Sequence, residues 1–352
     1  MARRSTKNPF SRSMQRLMTT MTRTAVRAGT KAIKQSLKPA PSPKKRVVAK
    51  PRPIKAKPEK RAPASGPNWI TGIAVGTAGP RRFRLFKPAG VTRAERLPLL
   101  VLLHGCSQDA EKIAASSQMN KLATRERFMV LYPEQDRLAN ALGCWNWYDT
   151  RSGRAQGESG AIDAMITQVC LQHPVNEQRI AIAGFSAGAG LAALLATRHP
   201  QRFCAVAMHS GVGPGVAHSS ATALGAMRGR RAAAPLAASP AGTRLPGLLV
   251  IQGSSDHVVA SSNGHQAAGV WAAQAGAKPG KTRVVQRGER YAANITDYKV
   301  RGQLVATLCE IDRLGHAWSG GAAGRDFSDP KGPSASSMIW AFVAKQFADE
   351  VG

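Results

Sequence analysis

Strand-like and helix-like patterns alternate along most of this chain. Short strand-like runs occupy 81–86 (RRFRLF), 98–103, 128–132, 179–183, 203–208, 246–251 and 303–310. Apolar residues at helical spacing fill the intervals, at about 111–126, 159–172, 187–198, 262–275 and 334–348. Such alternation predicts an α/β fold with a mostly parallel central sheet, helices on both faces and the first strand or two antiparallel at an edge. The stretch 209–244, rich in Gly, Ala and Ser, has no clear period and reads as an insertion loop near the mouth of a site.

The N-terminal region follows other rules. From Ser11 to Leu37, the residues Met14, Leu17, Met18, Met21, Ala25, Val26, Ile33 and Leu37 recur at three- and four-residue steps among basic side chains. This is the pattern of a cationic amphipathic helix. Residues 39–67 carry eight prolines interleaved with Lys and Arg, which excludes a packed core there. The predicted organisation is therefore a basic arm at 1–38, a linker at 39–67 and a folded domain at 68–352.

Charge sharpens that division. The chain has 352 residues and a net charge of +30. Residues 1–66 hold 19 Lys and Arg against one acid, Glu59, so 18 of those positive charges belong to the arm and linker. Three readings of the arm stand side by side: docking on an anionic surface (membrane, nucleic acid or storage granule), a solubilising tail, or a transit peptide. A cleaved export signal fits less well, because Arg12, Arg16, Arg23 and Arg27 interrupt the segment where an apolar core should follow Arg3 and Arg4. Apolar runs are too short for a spanning helix, so the folded domain is expected to be soluble.

Five cysteines, at 106, 144, 170, 204 and 309, show neither C-x-x-C nor any Cys/His spacing suited to zinc. No metal or cofactor is expected. An odd count cannot pair fully within one chain.

The chemistry concentrates at Gly184-Phe185-Ser186-Ala187-Gly188, between the strand-like RIAIA and the helix-like AGAGLAALLATRH. G-x-S-x-G between a strand and a helix is the sharp turn that presents a nucleophilic serine. A serine hydroxyl needs a base, and the base needs an acceptor that fixes its tautomer. In the chain order Ser, acid, His used by α/β-hydrolases, Asp256 follows the strand-like PGLLVIQG, and His316 lies on a Gly-flanked loop after the last strand. His257 adjoins the acid, His265 falls on a helix, and Asp312 is too near His316, so none competes well. His209 closes a strand and is expected to line the pocket. Two backbone N–H groups should hold an oxyanion: that of Ala187 at the following helix start, and that of Cys106 after His104-Gly105. His104 itself reads as a structural turn residue.

Around these residues the chain resembles the poly(3-hydroxybutyrate) depolymerase family of esterases, related to feruloyl and acetylxylan esterases. The resemblance rests on LLVLLHGCSQDA around 100–110, MNKLA at 119–123, VLYPEQ at 130–135, CWNWYD at 144–149, AGFSAGAG at 183–190, MHSGV at 208–212 and GHAWSGG at 315–321. These pieces stand in the family's order and cover about 80–332. They imply an α/β-hydrolase fold, the triad Ser186, Asp256 and His316, and esters of short hydroxyalkanoates or aromatic acids as substrates. The acid loop departs from the family's usual G-D-x-D, reading Gly253-Ser254-Ser255-Asp256. A supporting carboxylate is thereby lost.

Cys106 and Cys144 each sit in a matching motif, and a disulfide between them is expected in an oxidising compartment; the other three cysteines read as buried apolar residues. Trp145, Trp147, Tyr148 and Trp318 are candidates for contact with an apolar substrate chain, Trp318 foremost, with ordinary packing as the alternative. About thirty residues follow GHAWSGG, so no polymer-binding module is expected there and oligomers or small esters are favoured. The resemblance implies an extracellular enzyme, whereas the arm leaves a cytoplasmic or granule- or membrane-surface location as the alternative. Two rival functions remain: a feruloyl or acetyl esterase acting on plant polysaccharide, and a surface-binding protein whose hydrolase domain is vestigial.

Overall fold

The computed structural model describes residues 68–76, 79–236 and 244–349. The arm at 1–38 and the linker at 39–67 lie outside the described residues.

Eleven strands form one sheet among the described residues. In chain order they are β1 (Trp69–Gly76), β2 (Gly79–Phe86), β3 (Leu97–Leu103), β4 (Met129–Pro133), β5 (Val175–Phe185), β6 (Ala205–His209), β7 (Gly247–Gly253), β8 (Lys278–Pro279), β9 (Arg283–Val285), β10 (Ala293–Val300) and β11 (Gln303–Ile311). Their spatial order is β1-β2-β4-β3-β5-β6-β7-β11-β10-β8, with β9 also pairing β10. The six strands from β4 to β11 run parallel. β1 and β2 continue the sheet antiparallel at one edge, and β10 with its short partners does so at the other.

The parallel strands are apolar on both faces because helices cover both. Leu99 to Leu103 of β3 are all fully buried. Alternation along the strands assigns the helices to faces. Leu100, Leu102, Ala181 and Ala183 share a core with α1 (Ala110–Ser117), α2 (Met119–Glu126) and α7 (Ala335–Asp349). The intervening strand residues face α3 (Arg154–Gln172), α4 (Ala187–Arg198) and α6 (Ser262–Gln274).

Some expectations change. The helix expected over 111–126 divides at Gln118, whose left-handed backbone (φ 57°) ends α1 and begins α2. Tyr132 then donates its hydroxyl to Asn120 Oδ1 at 2.6 Å, tying α2 to β4. The stretch 209–244 is not wholly loop: it contains α5 (Ser220–Met227), which starts with a Ser219/Thr222 capping box. Ala- and Gly-rich α5 has little apolar contrast between faces, so its period is invisible in the sequence. Carbonyl 227 accepts from Ala260 N–H and Asn263 Nδ2, fastening this segment to the start of α6.

Candidate active site

β5 ends in a sharp turn that depends on its flanking glycines. Ser186 has φ 55° and ψ −117°, a strained backbone held by its surroundings. Its N–H donates to the His209 carbonyl of neighbouring β6 at 2.9 Å. A side chain on Gly184 would strike the backbone of Gly188, and one on Gly188 would lie 2.5 Å from the carbonyl oxygens of Leu103 and His104. Both glycines therefore allow α4 to begin hard against the ends of β5 and β3.

The residues expected as base and acid arrive from two further strand ends. His316 Nε2 lies 2.9 Å from Ser186 Oγ, and His316 Nδ1 lies 2.7 Å from Asp256 Oδ2. Because the carboxylate only accepts, Nδ1 carries the proton and Nε2 offers its lone pair to the serine hydroxyl. The Asp256 side chain is fully buried and that of His316 is 6% exposed. Burial alone would raise the Asp256 carboxyl. The facing His316, its hydrogen bond, and the N–H groups of Val259 and Val258 prevail and hold it below the ordinary carboxylate range. Gln252 Nε2 adds a long contact of 3.4 Å.

Where the acid loop lacks a second carboxylate, Ser254 ties it to the base loop. Ser254 N–H donates to Ile311 O, Ser255 N–H donates to Leu314 O, and Ser254 Oγ accepts the Arg313 N–H at 3.0 Å. Three hydrogen bonds thus pair the loops carrying Asp256 and His316.

Cys106 is disulfide-bonded to Cys144. Neither the Cys106 N–H nor the Ala187 N–H has a backbone acceptor among the described residues. The turn before Cys106 is fixed from within. His104 Nδ1 donates to Gly105 O at 2.8 Å and its Nε2 accepts the Gln135 N–H at 3.1 Å. Burial pushes the His104 imidazole down to about 4, so the ring stays neutral near pH 7.

Sequence reasoning missed the polar network under the CWNW loop. Buried Glu158 of α3 accepts from Gln135 Nε2 at 2.6 Å, from Asn146 N–H at 2.8 Å and from Asn146 Nδ2. Burial raises its carboxyl, and those donors oppose the rise. The available signal was an acid near the start of a mostly apolar helix, together with Gln135 and Asn146 inside conspicuous motifs.

The aromatic candidates need correction. Trp318 is 1% exposed, donates Nε1 to Ser336 Oγ and stacks on His209. Trp145 is also 1% exposed, with its ring near that of His104. His209 is completely buried. None of the three offers surface to a substrate, because each fills the space beneath a loop. Trp147 keeps 9% exposure and packs over Gly190 at the start of α4. His265 faces Glu310, apart from the Ser186 cluster. Cys170, Cys204 and Cys309 are buried.

Sheet order, turn and the Ser–His–Asp line together define an α/β-hydrolase fold. Residues 82–284 match the model of the esterase PHB depolymerase family, and the chain belongs to that family. It is 30% identical over 143 residues to poly(3-hydroxyalkanoate) depolymerase C of Paucimonas lemoignei, covering 40% of this chain and 34% of that protein. It is 25% identical over 231 residues to acetylxylan esterase A of Talaromyces purpureogenus, covering 60% of this chain and 58% of the other. The chain thus spans between about a third and three fifths of these relatives' length. Among solved structures, an acetyl xylan esterase from Aspergillus awamori superposes with a TM-score of 0.60 at 19% identity, covering 70% of this chain and 93% of that one.

Proposed function

We propose that this protein hydrolyses carboxylic esters of short 3-hydroxyalkanoates, as small esters or oligomers, through a covalent acyl-serine. The observation that carries the reading is the His316 ring bonded at both nitrogens, to Ser186 Oγ at 2.9 Å and Asp256 Oδ2 at 2.7 Å. Ser186 Oγ attacks the ester carbonyl while its proton passes to His316 Nε2. Asp256 holds Nδ1–H in place and stabilises the imidazolium so formed. The N–H groups of Cys106 and Ala187 receive the oxyanion, aided by the positive end of α4. His316 returns the proton to the departing alkoxide. It then activates water, which releases the acid and restores the serine.

Family membership and the likeness to a poly(3-hydroxyalkanoate) depolymerase support the hydroxyalkanoate substrate. A second reading, acetyl or feruloyl esters of polysaccharide, has support from the acetylxylan esterase relative. A fluorophosphonate probe should label Ser186, and Ser186→Ala should abolish p-nitrophenyl butyrate turnover; unchanged hydrolysis would overturn the assignment. Rates on a hydroxybutyrate trimer, methyl ferulate and acetylated xylan separate the two substrate classes, with the trimer expected to lead.

A further inference from the structure

His209 was expected to line the pocket, yet it is completely buried. It is the last residue of β6, in register with Phe185 at the end of β5. Its backbone carbonyl accepts the Ser186 N–H at 2.9 Å. Its ring Nε2 lies 3.1 Å from the Ser319 N–H, three residues beyond His316. A backbone N–H can only donate, so Nε2 carries the lone pair, Nδ1 carries the proton, and Nδ1–H points to Ser210 Oγ at 3.0 Å. The ring also stacks on Trp318, two residues beyond His316, with centroids 5.1 Å apart. Phe185, next to the serine, meets its edge and also lies 5.0 Å from the His316 ring.

We infer that His209 is a positioning residue that keys the nucleophile turn and the base loop to each other, its carbonyl holding Ser186 and its ring holding the strand-like segment after His316. The inference rests on the triad reading given above. Ser186 and His316 are 130 residues apart and come from different strand ends, yet their contact must be kept to a few tenths of an ångström. Separate anchoring would let errors in the two loops accumulate. A single rigid residue bonded to both makes their spacing depend on its own covalent geometry.

Neutrality is part of the fit, because a protonated Nε2 could not accept from Ser319. Burial first, and then the facing His316, push the His209 imidazole down to about 3, against the raising effect of Asp256.

Three substitutions distinguish positioning from mere packing. His209→Gln places an amide oxygen near the Nε2 position and restores the acceptor. His209→Asn is too short to reach Ser319, and His209→Phe fills the space without an acceptor. A misplacement of about 1 Å costs on the order of 10²-fold in rate. On that scale, His209→Asn and His209→Phe should lower kcat for p-nitrophenyl butyrate with KM little changed, and slow fluorophosphonate labelling in parallel. His209→Gln should recover most of both. Equal losses in all three variants, or full activity in His209→Asn and His209→Phe, would overturn the inference. The Ser186→Ala result stands apart from it, since full activity in the His209 variants with none in Ser186→Ala leaves the triad intact. Should the variants not fold, ¹⁵N-resolved imidazole spectra of the wild-type protein decide the matter. They should show His209 as the Nδ1–H tautomer, unprotonated down to pH 4, and titration near pH 6.5 would overturn the inference.

Discussion

Gly188 stands where the first turn of α4 crosses the end of β3. A methyl group there would meet two backbone carbonyl oxygens at 2.5 Å, and no side-chain rotation can relieve that contact. Gly188→Ala should therefore shift α4 away from the Cys106 turn and cost about 1–3 kcal/mol of stability, the usual penalty of overpacking. Loss of esterase activity should exceed what that destabilisation explains. Urea unfolding beside kcat at a temperature where the variant is fully folded checks both.

His104 offers a test at the same scale. Its imidazole is held down to about 4, against 6.5 for an unperturbed ring. Between those two values the unfolded chain binds a proton that the folded protein refuses, so acidification from pH 6.5 towards 4 removes stability. The slope is about 1.4 kcal/mol per pH unit for one proton. His104→Gln keeps an acceptor for Gln135 and loses the titration. Stability curves measured across that window should be shallower for the variant by about that slope. Equal slopes would mean that His104 is not buried neutral.

At the scale of elements, the central part of the fold was legible in the sequence. Strands β3 to β7 and β11 declare themselves as largely apolar runs because both faces are covered. Near one edge β2 was also legible, with its antiparallel placement, but the outer strands β1 and β10 were not, for the converse reason. β1 exposes Ile73 and Val75, and β10 is only half buried, so neither shows a clean period. Ser186, Asp256 and His316 were readable because each follows a strand end in the expected order. The aromatic residues misled, since composition does not reveal whether Trp318 faces a pocket or the underside of its loop. The roles of His209 and Glu158 depend on partners 110 and 12 residues away, which no local pattern encodes.

The Cys106–Cys144 link joins two such elements, the turn after β3 and the loop over Gln135 and Glu158. It closes a chain separation of 38 residues. Loop-closure entropy for that length is about 4 kcal/mol in the chain-entropy model. Cys144→Ser should lower the unfolding free energy by about 2–4 kcal/mol in chemical denaturation. An effect on kcat larger than on KM should accompany it, as the Cys106 N–H loses its tether.

For the molecule as a whole, the described residues gather the proposed chemistry at the carboxyl ends of parallel strands, where open α/β sheets bind ligands. The proposed nucleophile, acid, base and oxyanion turn each follow a different strand end. Their agreement depends on cross-links between loops: His209 between β6 and the base loop, Ser254 between acid and base loops, and the disulfide beside the oxyanion turn. Only the last of these is covalent, and only it responds to reductant. A preparation made in a reducing host and one made in an oxidising host would share every residue yet differ in how firmly the proposed oxyanion donor at Cys106 is held. On the proposed mechanism, redox history therefore belongs among the variables expected to set specific activity.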